Sequence, residues 1–304
     1  MRLGTRGSAL ALAQSGLVAT ALRERTGRDV ELVEISTAGD RSNAPVAQLG
    51  VGVFVSALRE ALLAKEIDLA VHSYKDLPTA PADGLVLAAV PAREDPRDAL
   101  VARDGLTLAE LPAGARIGTG AVRRIAQLHA LGRGWQCVPI RGNVDTRLRK
   151  VAEGALDAVV LARAGLARLG RAHEATEILD PMLMLPAPAQ GALAVECRTD
   201  DGELVELLAA LDDPATRAAV TAERALLAAL AAGCSAPVAA LADVAEGPEI
   251  YLRGAVFSPD GRFAVRLSRT GTPAEAAEVG RLLAADLRAE GADTVLGAPD
   301  DPHP

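Results

Sequence analysis

Lys75 and Asp76 stand side by side where a short apolar run turns polar. Ile67, Leu69, Ala70 and Val71 read as a buried strand, and His72, Ser73, Tyr74, Lys75 and Asp76 follow at once. Pro78 stops any helix from continuing. An ammonium and a carboxylate delivered together to the end of a buried strand can hold a charged ligand and move a proton. That end is where open α/β sheets build sites. The plain alternative is a solvated loop with an incidental ion pair. One detail weighs against it. The chain has three lysines, Lys65, Lys75 and Lys150, against 29 arginines. A composition that otherwise writes Arg for positive charge keeps a Lys here, and an ammonium is a compact point charge whose pKa responds to burial.

The arginines have a pattern of their own. Gly4-Thr5-Arg6-Gly7-Ser8 and Gly118-Thr119-Gly120-Ala121-Val122-Arg123-Arg124 both fall at a strand-to-helix turn. Free backbone N–H groups and the helix dipole make such turns anion sites, and guanidinium forks suit carboxylate or phosphate. Neither is a P-loop, since no Gly-Lys-Ser/Thr follows. Arg141-Gly142-Asn143-Val144-Asp145-Thr146-Arg147 again follows a strand and opens a helix, with Asn143 or Asp145 able to cap it. A single helix-start arginine is commonly just solvated. The recurrence points instead to a small polyanion, a polycarboxylate, in a cleft between two domains. Cys234 lies in Gly233-Cys234-Ser235-Ala236-Pro237 directly after a helix. It reads either as an inert small hydrophobe or as a reactive or modified thiol.

The elements that must position these residues come in two similar runs. Met1 to Thr5 is a strand, Ser8 to Arg25 a helix, Val30 to Ser36 a strand, Phe54 to Lys65 a helix, and then comes the strand into Lys75-Asp76. Asp40 to Gly52 is a polar loop between them. In the second run Ala115 to Thr119 is a strand, Ala121 to Leu131 a helix, Gln136 to Ile140 a strand, Thr146 to Glu153 a helix, and Leu156 to Leu161 a strand. Both read β-α-β-α-β, which calls for parallel strands with right-handed crossovers. Linkers are expected near Pro91 to Asp98 and Leu185 to Gln190. Pro214 to Ala232 reads as a long helix capped by Asp213 and stopped by Gly233. Ile250 to Val256 and Arg262 to Leu267 form a hairpin, Pro273 to Glu290 is an amphipathic helix, and the tail after Gly297 is expected to fray. The domains are therefore expected at 1–92 with 191–210, at 97–186, and at 214–304. The fold class is α/β for the first two and α+β for the third.

Bulk composition excludes several classes. The net charge of −8 argues against a general binder of nucleic acid or membrane surfaces. The N-terminus has no apolar stretch of signal-peptide length, and no run approaches a membrane span. Cys137, Cys197 and Cys234 are widely spaced with no Cys-x-x-Cys pair, which fits a reducing cytoplasm. The four histidines lack ligand spacing, so no metal is expected.

Six motifs occur in order: Val71-His72-Ser73-x-Lys75-Asp76-x-Pro78, Arg93-Glu94-Asp95-Pro96-Arg97-Asp98-Ala99, Gly118-Thr119-x-x-x-Arg123-Arg124, Arg141-Gly142-Asn143-Val144-x-Thr146-Arg147-Leu148, Leu185-Pro186-Ala187-x-x-Gln190-Gly191-Ala192 and Gly233-Cys234-x-x-Pro237. Together they closely resemble the porphobilinogen deaminase family, also called hydroxymethylbilane synthases, from the N-terminus to the final helix. The resemblance implies three domains, the first two like type II periplasmic binding proteins with the active site in the cleft between them. It implies polymerisation of four porphobilinogen molecules into the linear tetrapyrrole hydroxymethylbilane, with release of ammonia. It further implies a dipyrromethane cofactor held by a thioether to Cys234. Asp76 matches the catalytic aspartate, next to Lys75. Cofactor contacts match Ser73, Lys75, Asp76, Thr119, Arg123, Arg124 and Gly142. Substrate contacts match Arg6, Ser8, Arg141, Arg147, Arg168 and Gln190. The chain is expected to act as a monomer in the cytoplasm on small-molecule porphobilinogen, without nucleic acid or membrane.

The chemistry suits the residues. Porphobilinogen carries acetate and propionate, so bidentate arginines fit its polymer. Loss of ammonia leaves a cationic azafulvene, which a carboxylate near the pyrrole nitrogens can stabilise while it shuttles protons. Two departures from the family pattern stand out. Gln48-Leu49-Gly50-Val51-Gly52-Val53-Phe54 is one residue shorter than usual and lacks lysine, and Gly120-Ala121 replaces common hydroxyl residues. Two other readings use the same features: a non-catalytic anion-binding protein on the paired scaffold, and a deaminase-like chain with impaired activity.

Overall fold

The structure is a computed structural model that describes residues 1–36, 55–232, 236–244 and 248–296. From the N-terminus its elements are β1 (Arg2–Thr5), α1 (Ala9–Thr26), β2 (Glu31–Glu34), α2 (Ser56–Leu63), β3 (Leu69–Ser73) and β4 (Leu85–Ala89). Next come β5 (Asp98–Ala102), β6 (Arg116–Gly118), α3 (Val122–Ala130), β7 (Gln136–Val138), α4 (Val144–Ala152), β8 (Ala158–Ala162), α5 (Arg163–Arg168) and β9 (Glu177–Ile178). The last third carries β10 (Leu193–Arg198), α6 (Gly202–Ala209), α7 (Pro214–Ala229), β11 (Val238–Val244), β12 (Ile250–Phe257), β13 (Ala264–Gly271), α8 (Ala276–Ala289) and α9 (Asp293–Leu296). The polar loop 40–52, the departure at 48–54 and the tail after Gly297 lie outside the described residues.

Local chemistry sets the helix ends. Ser8 Oγ accepts from Ala11 N at 3.3 Å and so caps α1, and Gly27 closes it at φ +65°. Asn143 Oδ1 accepts from Thr146 N at 2.9 Å and opens α4. Asp213 Oδ1 accepts from Thr216 N at 2.7 Å, with Pro214 at the first position of α7.

The chain divides into two compact units, Met1–Glu94 with Gly191–Arg217, and Asp95–Gln190 with Ala218–Pro304. The first holds a five-stranded sheet in the order β2-β1-β3-β10-β4. β1 runs parallel to β2 and β3, while β10 runs antiparallel to β3 and β4. The second holds a five-stranded sheet in the order β7-β6-β8-β5-β9. β6 is parallel to β7 and β8, and β5 is antiparallel to β8 and β9. These are two α/β domains of one design. The expected parallel strands are the three at one side of each sheet. β5 and β10 run the other way; each follows a strand of the other sheet, β4 and β9 respectively, without a crossover helix.

Register shows how close the two halves are. Leu3 faces Leu69 and Gly4 faces Ala70, while Ile117 faces Ala158 and Gly118 faces Val159. Gly4 and Gly118 therefore correspond. A Cβ on Gly4 would lie 2.2 Å from Ile67 Cδ1, and one on Gly118 would lie 2.6 Å from Leu156 Cδ1. Ile67 and Leu156 also correspond, each two residues ahead of its paired strand residue. Both halves thus tuck an aliphatic side chain over a strand-end glycine.

The second unit also carries a small antiparallel sheet, β11-β12-β13. One face packs under α7 and α8 through Leu226, Leu252, Leu283 and Leu287. The other sets Ala239, Leu241, Ala255 and Phe257 against Ala126 of α3 and Leu185. The β12–β13 turn sits close on the end of α3. Gly261 has φ +71°, and a Cβ there would lie 2.4 Å from Ala130 N, so only glycine fits. No helix among the described residues is long and apolar enough to cross a membrane.

Candidate active site

β3 runs two residues further than the apolar run suggested. His72 and Ser73 belong to the strand, and His72 is buried. Tyr74, Lys75 and Asp76 then form a single 3-10 turn, closed by Leu77 N donating to Tyr74 O at 3.2 Å. Tyr74 is buried and its N–H donates to Ala192 O at 3.0 Å. Lys75 is half-buried and Asp76 is exposed. Ser73 Oγ accepts from Gln14 Nε2 at 2.9 Å. The strand and its buried tyrosine thus make a rigid base, and the carboxylate projects from it.

Beneath this turn lies an ion-pair cluster. Arg59 grips Glu196 of β10 with both forks, at 3.0 and 2.7 Å. His72 Nε2 lies 3.2 Å from Glu196 Oε2, within ion-pair reach but outside hydrogen-bond geometry. Burial opposes ionisation of Glu196, but His72 and Arg59 outweigh it and hold its carboxyl at about 2.

The register that pairs Gly4 with Gly118 also makes Ser73 the counterpart of Ala162. The residues after Ala162, which open α5, are Arg163-Ala164-Gly165. The lysine–aspartate pair therefore belongs to one half only.

In the second unit Thr119 is buried behind β6, and its Oγ1 accepts from Ala121 N at 3.3 Å. A Cβ on Gly120 would lie 2.8 Å from Ile140 O, so the backbone itself fills the place of a side chain there. Arg123 and Arg124 open α3, yet both are buried, at 4% and 5% exposure. Asp98, at the start of β5, lies between them. Arg123 Nη2 donates to Asp98 Oδ2 and Arg124 Nη2 to Asp98 Oδ1, each at 2.8 Å. Gln190 Nε2 donates to the same Oδ1 at 2.7 Å. Arg123 Nη1 also reaches Leu185 O at 2.6 Å, and Arg124 Nη1 reaches Val160 O at 3.0 Å. Burial pushes the Asp98 carboxyl up, but the two guanidiniums prevail and hold it well below the usual carboxylate range.

Arg141 and Arg147 flank the start of α4, both half-buried. Arg147 Nε donates to Gly142 O at 2.8 Å. Its guanidinium is pushed below its usual range by burial first, and then by Arg124 and Arg141. Arg147 therefore lies in the positive field of Arg124 and Arg141, and Asp98 holds Arg124 directly. Gly142 has φ +101°, and a Cβ on it would lie 2.9 Å from Thr146, so the turn requires glycine. Arg168 is half-buried at the end of α5. Arg6 is half-buried just after β1, and Ser8 is the cap of α1. Cys234 lies outside the described residues, in the chain between α7 and β11. No cluster of three or more metal-ligating side chains is present among the described residues.

The sequence reading gave Asp98 and Glu196 no role. Asp98 carried a signal: a carboxylate opening an otherwise apolar strand needs a cation to meet it. Glu196 carried none, because Arg59 lies 137 positions away.

Residues 1–206 match the family described as porphobilinogen deaminase, dipyromethane cofactor binding domain, and residues 217–289 match its C-terminal domain. Among curated proteins the chain is 60% identical to porphobilinogen deaminase of Nocardia farcinica, covering 97% of this chain and 88% of that protein. It is 59% identical to porphobilinogen deaminase of Mycobacterium tuberculosis, covering 97% and 98%. Among solved structures, a periplasmic substrate-binding protein from Coxiella burnetii aligns over 71% of this chain and 94% of that one, at 16% identity and a TM-score of 0.45. With both domains matched and relatives alike over nearly their whole length, the chain belongs to the porphobilinogen deaminase family.

Proposed function

We propose that Asp76 is the proton-handling carboxylate and Cys234 the covalent anchor in the reaction of this family. The chain is a transferase of tetrapyrrole biosynthesis that polymerises porphobilinogen head to tail into hydroxymethylbilane with release of ammonia, and its cofactor is dipyrromethane. The bound dipyrromethane supplies a terminal pyrrole carbon as the point of growth.

The observation that supports the role of Asp76 is the contrast in the Ser73–Asp76 turn. Its base is buried and fixed, while Asp76 is exposed at its tip beside a half-buried Lys75. A general acid–base group needs reach to a substrate proton and a rigid mount, and this turn provides both. Asp76 takes the proton that each coupling step releases and stabilises the cationic species that precedes it.

The second unit supplies the complement. Arg147 is half-buried and lies in the positive field of Arg124 and Arg141. Such a surplus of guanidinium suits a polycarboxylate with two acid groups per ring. The residue set therefore fits dipyrromethane and its growing polymer. We assign Ser73, Lys75, Thr119, Arg123, Arg124 and Gly142 to the cofactor side, and Arg6, Ser8, Arg141, Arg147, Arg168 and Gln190 to the substrate side. We divide the chain into domains at 1–92 with 191–210, 97–186 and 214–304. We further take the enzyme to be a cytoplasmic monomer acting without nucleic acid or membrane. Its net charge of −8 and widely spaced cysteines support that reading.

Intact mass spectrometry tests the assignment. The purified protein is expected to carry two covalent pyrrole units, and brief exposure to porphobilinogen is expected to add further units stepwise. An unmodified chain that only binds small carboxylates reversibly would make it an anion-binding module instead.

A further inference from the structure

Glu223, on α7, is a fully buried carboxylate that the chemistry above does not use. Its two oxygens accept from main-chain amides of two separate segments, Ala189 N at 2.5 Å and Ala242 N at 2.8 Å. Backbone N–H bonds to a carboxylate are among the stronger ones a protein makes. An aliphatic side chain here would leave two buried amides unpaired.

The two segments matter. Ala189 holds φ +59°, a left-handed conformation that residues other than glycine adopt at a cost. The next side chain, Gln190, donates to Pro96 O at 2.8 Å and to Asp98 Oδ1 at 2.7 Å. Ala240 of β11 donates to Pro186 O at 3.0 Å. Residues 186–190 are thus gripped from two sides, by the Asp98–arginine cluster through Gln190 and by α7 and β11 through Glu223 and Ala240. In the chain, α7 and β11 are the elements on either side of Cys234.

We propose that Glu223 is a positioning residue: by locking the turn at Ala189 and tying it to β11, it fixes both ends of the segment that carries Cys234 before dipyrromethane is attached. The proposal rests on Cys234 being the anchor. It assigns Glu223 a part in loading the cofactor rather than in the polymerisation that follows.

Glu223→Gln keeps the shape but offers one accepting oxygen, so one amide loses its partner. Apo-protein of the wild type, E223Q and the double variant E223Q/A189G would be incubated with porphobilinogen and sampled by intact mass, with thermal melts run in parallel. The expected result is a folded E223Q that gains its pyrrole adduct at least tenfold more slowly at temperatures well below its melt. A189G should recover part of that rate, because glycine adopts the left-handed turn freely. Loading of folded E223Q at the wild-type rate overturns the proposal, as does a lowered melt with no change in loading. Cys234→Ser tests the underlying reading separately: an adduct on C234S means that Cys234 is not the anchor, whatever Glu223 does. Amide hydrogen exchange on C234S needs no Glu223 variant. Ala189 and Ala242 should be protected like the interior of β11, and exchange at the rate of an open loop would show that the clamp is not preset.

Discussion

Arg123 Nη2 donates to Asp98 Oδ2 at 2.8 Å in a region closed to solvent, and Arg124 holds the other oxygen of the same carboxylate. Removing Asp98 would leave two buried guanidiniums facing each other. Breaking a buried ion pair from one side costs about 3–5 kcal/mol. Asp98→Asn is therefore expected to lower unfolding stability by about 3 kcal/mol or more, read from urea denaturation followed by circular dichroism. A change under about 1 kcal/mol would mean that the arginines are satisfied some other way. Because the pair is structural, any cofactor defect in an Arg123 or Arg124 variant has to be read beside its stability.

Glu196 predicts a pH dependence. Its carboxyl sits at about 2 in the folded protein against an ordinary 4.5, because Arg59 and His72 favour the charged form against the opposing effect of burial. A lowered folded pKa means that the unfolded chain binds the proton more readily, so stability rises with pH through that range. The contribution is complete above pH 4.5 and disappears as pH falls towards about 2. Asp98 acts in the same direction at lower pH. Glu196→Gln should then be less stable than wild type at pH 7, with the two curves converging on acidification. A gap between them that stays constant from pH 7 to pH 2 would refute the account.

Asp76→Asn keeps the shape of the turn and removes the charge. Asp76 is exposed, so melting and the attached cofactor should be unchanged. Turnover should fall by about 10²–10⁴-fold, the usual scale for a general acid–base group. A loss under about tenfold would move the proton chemistry to another residue.

What the sequence made legible follows from range. β1, α1, β6, α3 and the hairpin β12–β13 were readable because periodicity, caps and turn residues are local signals. β5 was not, because Asp98 made its start look like the end of a charged linker, and its partners Arg123 and Arg124 come 25 and 26 positions later. β10 was hidden in the same way. Glu196 and Arg198 interrupt its apolar run, yet both are buried, Glu196 against Arg59 and Arg198 donating to Leu62 O and Ile67 O. For the site, Lys75, Asp76 and the arginines were legible as residue types at strand ends. Which arginines are already engaged inside the fold is a tertiary fact. The helix-start position of Arg123 and Arg124 suggested donors open to an anionic ligand, and the fold turned both inward.

That inward turn separates the arginines into two kinds and gives the last prediction. Arg123 is tied to Asp98 and Leu185, whereas Arg141 is half-buried and adds to the positive field at Arg147; we propose that it meets ligand carboxylates. Arg141→Leu should fold normally and carry its two pyrrole units, because nothing in the Asp98 network depends on it. It should stall during growth, since a lost charge-assisted contact is worth roughly 1.5–3 kcal/mol, or tenfold and more in rate. Mass spectra after brief exposure to porphobilinogen would then show covalent species with one or more added units accumulating. Arg123→Leu should instead yield a less stable protein that is largely unmodified. If both variants accumulate the same species with the same melting temperature, Arg123 and Arg141 serve one purpose, and the division drawn from the Asp98 contacts fails.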